Sequence, residues 1–106
     1  MMDKLNALEK KFEDISVALA DPAVIADPAT YQKHAKSYRE LSPVIDKFRE
    51  YKELLRSAQE TKTLLQSDQD PEMHALVAEE MELLEKKVEA CEKELRLLLM
   101  PKDPND

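Results

Sequence analysis

The 106-residue chain predicts an all-α fold: a long antiparallel, coiled-coil-like helical hairpin with a shorter N-terminal helix packed on it, a three-helix bundle. Three observations point there. Glycine is absent where average usage would place roughly seven in a chain this long. Apolar residues recur at alternating spacings of 3 and 4 through three segments. Four Asp-Pro pairs punctuate the chain, at Asp21-Pro22, Asp27-Pro28, Asp70-Pro71 and Asp103-Pro104. An Asp side chain accepts from the first free amides of a helix, and a following proline lacks only an amide that the helix leaves unpaired. Each pair therefore reads as a helix start that also ends what precedes it.

The first helix is expected over residues 3–20, with Asp3 as its cap and Leu5, Leu8, Phe12, Ile15 and Leu19 as its seam. At 1.5 Å per residue it is about 27 Å long. Pro22 to Ala26 reads as one short turn held by Val24 and Ile25. The second helix is expected from Pro28 to about Gln66. Its apolar face is Tyr31, Ala35, Tyr38, Leu41, Ile45, Phe48, Tyr51, Leu55, Ala58 and Leu65. Ser42-Pro43 interrupts it, since proline removes one backbone bond and crowds the preceding turn. The apolar phase survives the proline, which favours one long kinked helix over two helices at an angle.

The third helix is expected over 71–99, capped by Asp70, with a seam of Val77, Met81, Leu84, Val88, Cys91, Leu95 and Leu98. Glu82 with Lys86, Glu89 with Lys93 and Glu92 with Arg96 stand in the favourable acid-before-base order at i, i+4. Pro101 disfavours helix at the residue before it. The short Ser67–Asp70 link makes the two long helices antiparallel neighbours. Residues 1–100 form the domain, and 101–106 begin a linker.

Composition excludes several classes of function. Without glycine, phosphate-cradling loops and Rossmann turns cannot be built in their usual form. A net charge of −7 and a pI near 4.9 argue against broad binding along a phosphate backbone. One cysteine provides no disulfide framework, which fits a reducing cytoplasm. No apolar run approaches the roughly 18 residues needed to span a bilayer, and the N-terminus lacks a signal-peptide apolar core. A cytoplasmic protein with no membrane partner is expected.

Charge is unevenly spread. Residues 28–66 hold eight bases and five acids, whereas 71–100 hold eight acids and four bases. Two readings are open. The basic and acidic helices complement each other across the hairpin edges, or Lys33, Lys36, Arg39, Lys47 and Arg49 face an anionic partner.

No residue pattern supports catalysis, a metal, a cofactor or a small-molecule ligand. His34 and His74 follow Tyr31 and Pro71 by three residues, so neither completes the Glu-x-x-His pair of a helical di-iron site. His74 falls on the extrapolated seam of the third helix and reads as a helix-end residue. Cys91 lies within that seam and reads as a buried structural thiol. Met73, Met81 and Met100 read as core filler, and the glutamates of the third helix as a solvated face.

The segment Leu97-Leu98-Leu99-Met100-Pro101-Lys102-Asp103-Pro104-Asn105-Asp106 resembles the close of the first domain of bacterial class I peptide chain release factors. It is most similar to the type that reads UAA and UAG, because the other bacterial type lacks the Pro-Lys-Asp-Pro ending. Ile25-Ala26-Asp27, the stretch Tyr38-Arg39-Glu40-Leu41-Ser42-Pro43-Val44, Phe48-Arg49-Glu50-Tyr51-Lys52 and Asp70-Pro71-Glu72-Met73 fit as well. The resemblance covers essentially the whole chain. It implies translation termination on the ribosome, with the stop-codon reader and the Gly-Gly-Gln loop that promotes peptidyl-tRNA hydrolysis both downstream of Asp106. The family's codon-reading and catalytic residues thus map to no position here, and this piece is expected not to be an enzyme. The resemblance further implies docking toward the GTPase-associated centre at the stalk base, near the release-stimulating GTPase. The isolated fragment is expected to be a monomer or a weak dimer. The competing reading is a free-standing coiled-coil adaptor or chaperone-type module, with an arm like the hairpin of seryl-tRNA synthetase as a variant.

Overall fold

A computed structural model describes residues 1–67 and 70–101 of the chain. The described residues form four helices and no strand: α1 (Met2–Leu19), α2 (Pro22–Ile25), α3 (Pro28–Leu65) and α4 (Pro71–Leu99). The all-α expectation holds, and the ends of the three long helices fall within a residue of those read from the sequence. The Asp103-Pro104 pair, positions 68 and 69 of the link and the expected linker beyond Pro101 lie outside the described residues.

Three Asp-Pro pairs open helices as their chemistry requires. Asp21, extended at φ −77° and ψ 122°, accepts the Ala23 amide at 2.9 Å. Asp70 accepts the Met73 amide at 2.8 Å. Asp27 accepts the Thr30 hydroxyl at 2.7 Å, and its carbonyl takes the Tyr31 amide at 2.9 Å. Asp3 is not a cap. The helix starts one residue earlier, with Met1 at the cap position and no side-chain cap bond, and Asp3 sits inside the first turn. Its charge there still opposes the positive end of the helix dipole. At the far end Met100 is extended, with ψ 137°, as Pro101 demands.

Helix α3 runs unbroken through Pro43. Pro43 has no amide for the carbonyl of Arg39. Both residues are exposed.

The chain divides into two compact units, Met1–Phe48 and Arg49–Asp106, with α3 contributing to both. In the first, α1 contributes buried Leu5, Phe12 and Ile15, and α3 contributes Val44, Ile45 and Phe48. The Phe12 and Tyr38 rings stack at 4.6 Å between centroids and 25° between planes, joining α1 to α3. In the second, the core residues are Tyr51, Val77, Leu84, Cys91 and Leu95. Glu50 and Leu54 of α3 share one cleft with Lys87, Ala90, Cys91 and Glu94 of α4, so the two segments are neighbours in this unit. None of the described polar or charged residues is buried.

Several expected core positions are exposed. Tyr31 and Tyr38 are each 37% open, Leu55 36% and Leu98 41%. A strict heptad drifts by about 20° per repeat around a straight helix, so a 38-residue seam cannot keep one face. On α3 the buried residues are Val44, Ile45, Phe48 and Tyr51; the last three lie on the expected face, and Val44 was not on it. Tyr38 keeps an amphipathic compromise, with a stacked ring and solvent access. Met73 and Met100 are exposed, and only Met81 of the three methionines is half-buried. His74 is exposed in the first turn of α4, short of the packed stretch that begins at Val77. Ile25 is also exposed, leaving Val24 alone half-buried in α2.

Candidate interaction surface

Between residues 28 and 45 the bases are Lys33, Lys36 and Arg39, and the only acid is Glu40. All three bases are exposed. Spaced by three on α3, they span an arc of about 120° and a rise of about 9 Å. Lys36 stands nine residues before buried Ile45, about half a turn around the helix from it. Lys36 and Arg39 therefore lie on the side of α3 away from buried Ile45 and Phe48, whereas Lys33, eleven residues before Val44, falls near that residue's side. No ion pair or side-chain hydrogen bond ties Lys33, Lys36 or Arg39 to another described residue.

The other two candidates differ. Lys47 is half-buried, Arg49 is exposed, and each already has an interaction partner within the chain. The structure thus separates the five into three uncommitted bases and two engaged ones.

Further along α3, Arg56 is held between Glu53, three residues before, and Glu60, four residues after. Its Nε donates to Glu53 Oε2 at 3.0 Å. The Arg56 hydrogen bond holds the Glu53 carboxyl below its usual range, and the two acids raise the guanidinium further above its own. Arg56 is thereby neutralised locally and adds nothing to a basic surface. The i−3 and i+4 spacing signals this clamp in the sequence, but it was not picked out there. On α4 the three expected pairs are present: Glu82–Lys86 at 3.6 Å, Glu89–Lys93 at 3.7 Å and Glu92–Arg96 at 2.6 Å. Being exposed, pairs of this kind contribute only a few tenths of a kcal/mol each.

The cleft between the α3 and α4 segments of the second unit has a volume of about 360 Å³. Its floor includes Cys91, a buried free thiol, and its rim carries Glu50, Lys87 and Glu94. Nearby, burial first and the Glu92 carboxylate second push the Tyr51 hydroxyl above its ordinary value. His34 is half-buried on α3 and His74 exposed on α4. Among the described residues no group of three or more His, Cys, Asp or Glu side chains could hold a metal ion. No described helix is long and apolar enough to cross a membrane.

A family model described as the PCRF domain matches residues 8–106. Over all 106 residues the chain is 39% identical to peptide chain release factor 1 of Clostridium tetani and 42% identical to that of Clostridioides difficile. Each alignment covers 30% of the relative. Peptide chain release factor 1 of Acidobacterium capsulatum is 42% identical over the same full chain, which covers 29% of it. The chain thus spans about 30% of the length of the curated relatives it matches. No solved structure matches. Since the family match takes in most of α1, all of the later helices and all five basic candidates, the chain belongs to the PCRF domain family.

Proposed function

We propose that the chain acts in translation termination, as the helical docking domain of a release factor that reads UAA and UAG. The observation that carries this reading is the full-length similarity to proteins named peptide chain release factor 1. Residues 1–100 are the docking domain and 101–106 begin the linker to codon-reading and hydrolytic parts beyond Asp106. Peptidyl-tRNA hydrolysis belongs to the Gly-Gly-Gln loop of those parts, since a glycine-free chain cannot supply it. The partners are the ribosome at the stalk base and the release-stimulating GTPase, and the setting is the cytoplasm.

Lys33, Lys36 and Arg39 are the contact residues toward the ribosome. Their exposure and lack of internal partners support this role. Lys47 and Arg49, which already have partners within the chain, are weaker candidates for the same anionic partner. The test is K33E/K36E/R39E in the longer protein. Association with stop-codon-programmed ribosomes should slow roughly tenfold at low salt, with the deficit shrinking as salt rises. The release rate at saturating factor should not change. An unchanged association rate, with only the melting temperature lowered, would overturn the ribosome-facing role.

A further inference from the structure

Helix α4 carries a second apolar line one residue out of phase with its buried seam. Leu76, Leu83 and Leu97 recur at heptad spacing, with Ala90 at the intervening position on the cleft toward α3; each directly precedes a seam residue, of which Val77, Leu84 and Cys91 are buried and Leu98 is exposed. Leu76 is 56% exposed, Leu83 46% and Leu97 68%, and Met73 extends the line by one turn at 48%. Consecutive positions lie about 100° apart on a helix, so this is a separate face from the packed one. A run of large apolar side chains left open at heptad spacing is the pattern one helix offers to another.

The charges beside it select the partner. Glu72, Glu79, Glu80, Glu82 and Glu85 flank Met73, Leu76 and Leu83, and no Lys or Arg occurs between Pro71 and Glu85. The five acids are exposed. The first Lys on α4 is Lys86, and it is paired with Glu82. A second copy laid parallel on this face would set Glu against Glu. A complementary occupant carries apolar residues at the same spacing and bases on its flanks.

We infer that the Met73–Leu76–Leu83 face of α4 is a docking surface for a basic amphipathic helix of another protein. The apolar line supplies the seam, and the glutamates fix the sign of the partner and speed encounter through long-range attraction. The surface stands on α4 alone and is independent of the basic stripe on α3.

The probe is a synthetic 21-residue amphipathic peptide with Leu at the a and d positions and Lys at e and g. Its counterpart has Glu in place of Lys. Fluorescence anisotropy with the 106-residue chain should show binding of the Lys peptide, weakening as salt rises, and none of the Glu peptide. L76S/L83S keeps every charge and removes only exposed side chains. It should weaken binding at least tenfold with an unchanged circular dichroism spectrum. E79K/E80K should weaken it comparably at low salt. Equal binding to L76S/L83S would reduce the interaction to charge alone and overturn the proposal. Sedimentation showing a dimer lost in L76S/L83S would assign the face to a second copy and overturn it equally.

Discussion

The Phe12–Tyr38 stack is the clearest single link between α1 and α3 in the first unit, and a double-mutant cycle can measure it. Phe12→Leu and Tyr38→Leu keep apolar bulk and remove one ring each. Aromatic pairs contribute about 0.5–1.5 kcal/mol beyond area burial, at centroid separations of 4.5–7 Å. Here the separation is 4.6 Å, at the short end, but Tyr38 remains 37% exposed. Solvent on one side weakens the contact, so the lower half of that range applies, about 0.5–1 kcal/mol. Urea unfolding of the wild-type chain, both single variants and the double variant, followed by circular dichroism, yields the coupling energy, provided the slopes agree. Phe12→Leu alone should cost about 1–1.5 kcal/mol. That corresponds to a fall in melting temperature of roughly 4–8 °C per kcal/mol for a domain of this size. A coupling energy within about 0.3 kcal/mol of zero is simple additivity, and would refute the claim that the stack joins the helices.

Other consequences follow from the caps and from Tyr51. Asp70→Ala removes the bond to the Met73 amide and should cost about 1 kcal/mol, read from the same unfolding curves, whereas Asp70→Asn should restore most of it. The Thr30 hydroxyl holds the Asp27 carboxyl below its ordinary 3.8. Its contribution to stability is therefore complete above that value and is lost as pH falls through the lowered one. Asp27→Asn should flatten the acid limb of a stability–pH profile below about pH 4. Burial and Glu92 raise the Tyr51 hydroxyl above 10.0, so its contribution is complete below 10.0 and is lost as pH climbs through the raised value. Glu92→Gln should bring the phenolate transition, identified by difference from Tyr51→Phe, back toward the ordinary value.

Helix boundaries were legible because their determinants are local. Asp21, Asp27 and Asp70 each cap within three residues, and Pro101 stops α4 through its immediate neighbour. The seam of α4 was legible because one face of one helix carries Val77, Leu84, Cys91 and Leu95. The long α3 was less so. Which of Val44, Ile45, Leu54 and Leu55 turns inward depends on what packs against each stretch, and heptad counting cannot supply that. Asp3 misled because it is a good capping residue near a helix start, but nothing in the sequence forbids the helix from beginning at Met2. For the candidate surface, the excess of bases in residues 28–66 could be counted directly. That Lys47, Arg49 and Arg56 are engaged while Lys33, Lys36 and Arg39 are not depends on side-chain geometry. Leu76 and Leu83 were readable as apolar, but assigning one seam per helix hid the second line.

The central claim is that this chain binds and that the chemistry of termination lies elsewhere in a longer protein. It is tested most directly by peptide release from ribosomal termination complexes halted at UAA. The 106-residue chain added alone, up to saturating concentration, should release no peptide above the factor-free background. The longer protein that carries it should release peptide in the same assay. Stop-codon-dependent release by the 106-residue chain alone would contradict the account.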